Sequence, residues 1–202
     1  MKLYYSPGLC SLAPHIVARE AGLPITLVRV DINRHQTEHG DDFYRINPKG
    51  AVPVLELDNG ERLTEGAIIA QYLADQAGDR TLMPAAGTLA RYRVMEWQNY
   101  IATELHKAFF PLLHAELNAN AKAQLVGFLR KKFEWVSEQL GTKLFLTGEQ
   151  FTAADAYLFV VAGWVGYINL DLSDLDALQT FLHRIRSRPA VRAALQAEGL
   201  SS

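Results

Sequence analysis

The sequence predicts an α/β domain followed by an all-helical one. Three observations carry this. The apolar period changes repeatedly over about the first 77 residues. The stretch Gly78-Asp79-Arg80-Thr81-Leu82-Met83-Pro84 then breaks the pattern, and beyond it every apolar pattern is helical. The expected division is residues 1–78 as the α/β domain, 79–87 as linker and 88–202 as the helical domain.

Leu3 to Tyr5 reads as a strand, and Cys10 to Glu20 as a helix that stops at Gly22. Thr26 to Val30 reads as a second strand. Asp31 to Asp42 is polar and reads as a loop, and Phe43 to Ile46 as a helical turn stopped by Asn47-Pro48-Lys49-Gly50. Val52 to Leu57 and Glu61 to Leu63, joined through Asp58-Asn59-Gly60, form a hairpin pattern with Asn-Gly as its turn signal. Thr64 is placed to cap a helix from Glu65 to Ala77. The order β-α-β, loop, β-β-α implies one parallel crossover and then a hairpin, on a sheet of about four strands.

After the linker, Thr88 to Leu117 is one long helical pattern with an expected bend at Pro111. Ala121 to Leu140 follows and ends at Gly141. Thr152-Ala153-Ala154-Asp155 reads as a variant capping box, with Phe151 as a hydrophobic staple, opening an apolar helix to about Tyr167. Leu175 to Arg186 and Pro189 to Ala197 close the chain, Pro189 suiting a first helical position.

Composition removes several functions. A formal net charge of −2 on 202 residues leaves no basic footprint for nucleic acid or an anionic membrane surface. A single cysteine excludes an internal disulfide framework and a cysteine-rich metal site. The longest uncharged run, Ala156 to Leu170, is shorter than the ~20 residues of a spanning helix. Met1 to Gly8 lacks the apolar centre of a signal peptide. A reducing cytoplasm is the expected location.

Four stretches carry chemistry. In Ser6-Pro7-Gly8-Leu9-Cys10-Ser11, a strand, a turn and a helix start follow one another, and Cys10 sits where backbone N–H groups and the helix dipole favour a thiolate. The alternative is a small buried hydrophobe. Pro53 in Ala51-Val52-Pro53-Val54 fits a strand start; were the bond before it cis, Val52 would turn outward to pair with an extended peptide-like ligand. The alternative is an ordinary trans proline. In Thr64-Glu65-Gly66, the Gly66 N–H suits a carboxylate and Glu65 an ammonium, together fitting an α-amino acid; the alternative is that Glu65 only complements the helix dipole. On the long helix, Asn99, Thr103 and His106 share a stripe that would line a cleft between the domains, or else His106 is a satisfied core histidine. His35 and His39 lie in the polar loop, and no His/Glu spacing supports a metal site.

Together these residues resemble the glutathione transferases, most closely the bacterial beta class, nearly end to end. The resemblance rests on Ser6 to Ser11, on Asn47 to Leu55, and on Leu63-Thr64-Glu65-Gly66-Ala67-Ile68. It continues in Glu104-Leu105-His106-Lys107, Phe151 to Tyr157 and Arg188-Pro189-Ala190-Val191. It implies a thioredoxin-like first domain with a mixed sheet, a C-terminal helical bundle, and a homodimer with the active site near the subunit interface. It implies a cis Pro53, Val52 paired with the glutathione backbone, and Glu65 and Gly66 on the γ-glutamyl end. Cys10 and His106 would be catalytic, both beside the glutathione sulfur. Lys107, Asn99, Thr103 and Glu104 would add contacts. His35 stands where relatives often have lysine, Gly66 where serine is common, and Thr103 where serine is common.

The implied reaction is attack by the glutathione thiolate on a small hydrophobic electrophile, a detoxification chemistry. Glutathione is co-substrate and no cofactor is implied. Thiol–disulfide exchange or peroxidase side activity would run through Cys10. The electrophile would draw on positions such as Phe109, Phe110, Tyr167 and the C-terminal helix. Two rivals are a non-catalytic binding or regulatory protein on the same fold and a zeta-type glutathione-dependent isomerase. The zeta pattern has Ser-Ser before the cysteine; here Gly8-Leu9 precedes Cys10.

Overall fold

The structure, a computed structural model, describes residues 1–200. Strand β1 (Lys2–Tyr5) pairs parallel with β2 (Thr26–Asp31), Leu3 opposite Leu27, across helix α1 (Leu12–Glu20). A two-residue strand β3 (Gln36–Thr37) pairs antiparallel with the end of β2. On the other side of β1 lies the hairpin of β4 (Val54–Glu56) and β5 (Arg62–Thr64), all antiparallel. The sheet order is β3-β2-β1-β4-β5. Side chains alternate across this sheet. Leu3 and Leu55 enter the main core, while Tyr4, Val28, Val30 and Val54 form a second cluster with Phe43 and Val52 on the opposite face.

Three expectations are corrected here. The polar segment 31–42 contains the fifth strand. It is only two residues long, too short for an alternation to show, and buried Thr37 anchors it by accepting from the Asp41 N–H. Helix α1 begins at Leu12 with Ser11 as its N-cap residue, so Cys10 lies in the turn before the helix. The hairpin strand begins at Val54, since Pro53 has no N–H for the ladder.

Helix α2 (Gly66–Ala77) ends in a left-handed Gly78. The long helical pattern is α3 (Leu89–Tyr100), a wider π-helical segment Ile101–His106, and α4 (Lys107–His114). Pro111 lies inside α4 without ending it. The irregularity instead falls just before α4, where an extra residue enters the ladder and 3.6-residue periodicity cannot reveal it. Asn118 caps α5 (Ala119–Leu140) by accepting from the Ala121 N–H, which starts that helix two residues ahead of the apolar pattern.

Helix α6 (Ala153–Ala162) is buried along its whole length and passes into a 3-10 segment, Gly163–Ile168. Its start is held by Asp155. The Thr152 N–H and hydroxyl both donate to Asp155 Oδ2 at 2.7 Å, and the Leu146 N–H donates to Oδ1 at 2.8 Å. Burial raises this carboxyl to about 6 despite those donors. Helices α7 (Asp176–Arg186) and α8 (Pro189–Ala197) complete the helical layer. One hydrophobic core runs from α1 and α2 through α6 to α8. Arg188 fastens it by pairing both oxygens of Glu20 (2.6 and 2.9 Å) while its guanidinium lies 4.2 Å over the Phe151 ring. Among the described residues, no helix is long and apolar enough to cross a membrane.

Removing the Asp155 carboxylate strands three buried donors at the start of the central helix. Asp155→Ala is therefore expected to lower the unfolding free energy by about 3 kcal/mol in urea titrations, the loss of a cap plus its buried donors. A loss below ~1 kcal/mol, within the range of a neutral surface substitution, would contradict this.

Candidate active site

The turn from Ser6 to Cys10 is tied down at Ser6, Gly8 and Leu9, the Leu9 N–H donating to the Ser6 carbonyl at 3.1 Å. Buried Ser11 accepts from the Ser6 N–H at 3.1 Å and donates to the Ser6 carbonyl at 3.2 Å. The Gly8 peptide is gripped from the helical layer. Its N–H donates to Glu198 Oε2 at 3.0 Å, and its carbonyl accepts from the Trp164 indole N–H at 2.9 Å. Glu198 itself is buried beside His15, with Oε1 2.8 Å from His15 Nδ1. Because Arg19 donates to His15 Nε2 at 2.9 Å, the His15 proton sits on Nδ1 and faces Glu198. Gly8 has φ of 72°, a conformation glycine takes without strain.

Cys10, so placed, turns its thiol inward and donates to the Val52 carbonyl at 3.2 Å. The Val52–Pro53 peptide is cis. Burial pushes the Cys10 thiol up to about 12, although the backbone N–H groups of Cys10 and Ser11 pull the other way. The expectation of a favoured thiolate is thus overturned: desolvation outweighs the nearby N–H groups. Cys10 is a protonated hydrogen-bond donor at neutral pH.

Gly66 opens α2 beside this contact. A Cβ there would lie 3.6 Å from the Pro53 ring and 3.7 Å from the Cys10 carbonyl, so the position has room for a serine side chain. As the first helical residue its N–H lacks an intrahelical acceptor. Glu65 precedes it with φ of 70°, a left-handed backbone that a non-glycine residue seldom holds without a functional reason. Its carboxylate is 70 % exposed and is steered by Lys49, whose Nζ donates to Glu65 Oε1 at 2.6 Å and to the Thr64 hydroxyl at 2.8 Å. His35, also left-handed at φ 50°, stacks on Tyr44 with ring centroids 4.3 Å apart. It packs on Gly50, and its Nδ1 is buried with no hydrogen-bond partner.

From the helical side, the π segment presents His106. Its Nδ1 is 2.7 Å from the Tyr157 hydroxyl, and its ring meets Trp164 edge-on at 4.8 Å. Burial first, then the positive charge of Lys107, lowers the imidazole to about 4, so it is neutral at physiological pH. Burial first, then the neighbouring Cys10 and Glu65, push the Tyr157 phenol well above its usual range, so it keeps its proton. Tyr157 and Trp164 carried no role in the sequence reading. The available signal was a hydroxyl-bearing aromatic inside an otherwise apolar buried helix, which needs a partner.

The other predicted residues divide. Asn99, Thr103 and Lys107 lie on the exposed face of the long helix, the Thr103 hydroxyl donating to the Asn99 carbonyl at 3.0 Å. Glu104 is not brought to Cys10 in this chain: it pairs with Lys132 of α5, since residues two apart on a helix point to different sides. Phe109 is also no pocket residue. It is buried in the core between Phe133 and Trp164. Phe110 and Tyr167 are exposed, and a groove of about 580 Å³ opens where Tyr167 meets Gly8, Phe159 and Leu200. Among the described residues, no group of His, Cys, Asp or Glu side chains is placed to hold a metal ion.

Comparison with known proteins identifies the family. Residues 8–76 match the glutathione S-transferase N-terminal domain and residues 119–197 the C-terminal domain. The chain is 48 % identical over 200 residues to glutathione S-transferase GstA of Escherichia coli O157:H7, covering 99 % of this chain and all of that one. It belongs to the glutathione S-transferase family and is an enzyme that uses glutathione as co-substrate. Within that family it falls in the bacterial beta class. The solved beta-class transferase of Sphingomonas chungbukensis superposes with a TM-score of 0.95 at 43 % identity over the whole of both chains. A sphingomonad glutathione S-transferase complexed with glutathione gives 0.94 at 43 %, again over both full chains. The thioredoxin-like sheet and helical layer are the fold of these proteins.

A protonated Cys10 has a measurable consequence. In the unliganded protein, alkylation by iodoacetamide should be slow at pH 7.5 and should rise tenfold per pH unit beyond pH 9, because only the thiolate reacts. A rate that levels off below pH 8 would contradict it.

Proposed function

We propose that this transferase joins the glutathione sulfur to electrophilic carbon in small hydrophobic compounds, and that Cys10 and His106 serve the sulfur as donors. The observation that carries the reading is the Cys10 thiol itself. It is protonated and aimed at the Val52 carbonyl. Glutathione laid along Val52 would bring its own sulfur to that thiol, which then donates to the glutathione thiolate. His106 is neutral, so it assists by hydrogen bonding rather than by charge. The positive charge nearby comes from Lys107. Thiolate attack forms the carbon–sulfur bond as the leaving group departs or the acceptor carbon takes up charge.

Glu65 and Gly66 would receive the γ-glutamyl end, Glu65 taking the ammonium and the Gly66 N–H the carboxylate. His35 would face the glycine end, with Asn99, Thr103 and Lys107 lining the cleft; Glu104 would take part only after leaving Lys132. Exposed Phe110 and Tyr167 are the proposed electrophile contacts. Residues 1–78 would act as the glutathione domain and 88–202 as the electrophile domain, joined by 79–87, in a cytoplasmic homodimer. A slower second activity is disulfide exchange: Cys10 sulfur attacks oxidised glutathione, forming a mixed disulfide and releasing one glutathione.

Cys10→Ala separates the two roles. Conjugation of a reference electrophile should fall by no more than about tenfold, the loss of one donor to a charged acceptor, while mixed-disulfide formation disappears. Loss of conjugation with exchange retained would show the roles to be inverted.

A further inference from the structure

We propose that Tyr157 is a positioning residue: its hydroxyl donates to His106 Nδ1 and holds the imidazole with its proton on Nε2, directed at the sulfur site. The inference rests on the role proposed above for His106. Tyr157 is 6 % exposed, and His106 Nδ1 at 2.7 Å is its only hydrogen-bond partner among the described residues. A buried hydroxyl left without an acceptor is costly. Were the proton on Nδ1, that nitrogen would donate to the phenol oxygen and the phenol hydrogen would point at nothing. The opposite arrangement satisfies both groups. It leaves Nε2 carrying the hydrogen, without a protein partner among the described residues and not sealed from solvent.

The ring has little freedom to turn away. Tyr157 meets it edge-on at 5.9 Å and 89°, and Trp164 at 4.8 Å and 71°. Trp164 is fixed in turn by its bond to the Gly8 carbonyl. Tyr157 and Trp164 therefore orient the imidazole from α6 and the segment after it, through the same indole that steadies the Cys10 turn. The charged and titratable groups acting on this pair are Lys107, Glu65 and Cys10.

The test is nitrogen-15 NMR of the ring nitrogens in the intact protein at pH 7, with the His106 signals assigned by their loss in His106→Asn. The expected native spectrum shows an unprotonated Nδ1 and a protonated Nε2; a protonated Nδ1 overturns the proposal without any variant. In Tyr157→Phe the two tautomers should mix, and kcat should fall about fivefold, the worth of one hydrogen bond, with the KM for glutathione unchanged. An unaltered tautomer in Tyr157→Phe also overturns it. If His106→Asn keeps full turnover, the proposed role of His106 fails. If His106→Asn is impaired and Tyr157→Phe is not, only the positioning fails.

Discussion

Enclosure of the Cys10 sulfur against the Val52 carbonyl is the constraint on which the rest of the site depends. A cysteine beside free backbone N–H groups would ordinarily be a nucleophile. Here the cost of an anion in that enclosure exceeds what the N–H groups return, and the thiol stays protonated. Burial against Tyr157 and Trp164, with the charge of Lys107, keeps His106 neutral. Both side chains are uncharged hydrogen-bond donors in the role proposed for them beside the glutathione sulfur. A site arranged to stabilise an incoming anion needs donors already oriented and dry, more than it needs charges of its own.

The helical layer supplies that order. Asp155 fixes the start of α6, and α6 carries Tyr157 into contact with His106. Trp164, in the segment that follows, reaches both the His106 ring and the Gly8 carbonyl. From the far end of the chain, Glu198 takes the Gly8 N–H and is itself held by His15, whose other ring nitrogen accepts from Arg19. The turn bearing Cys10 is thus held by residues distant in sequence. A core continuous from α1 to α8 makes the two layers one support for the site.

Much of this was legible in the sequence. The change from strand-like to helical patterning fell at the break between α2 and α3, Asn59-Gly60 marked the hairpin, and Thr152 with Asp155 marked the central helix. The family motifs implied a cis bond before Pro53, which the structure has, and singled out Cys10, Val52, Glu65 and His106, whose roles are those proposed above. What escaped was set by tertiary contact. Desolvation of Cys10 reversed a local argument from helix position. The π segment and the two-residue strand Gln36–Thr37 have no period to read. Tyr157 lay inside a motif valued for its capping, and the pairing of Glu104 with Lys132, remote in sequence, leaves no local signal.

The central claim is that two neutral donors flank an ionised glutathione sulfur. It is tested most directly by a crystal structure of the complex with glutathione. The tripeptide should lie along Val52 with its sulfur within hydrogen-bond reach of both Cys10 Sγ and His106 Nε2, the bond from Cys10 to the Val52 carbonyl having been exchanged for it. A bound glutathione whose sulfur lies away from Cys10, with that bond intact, would contradict the account.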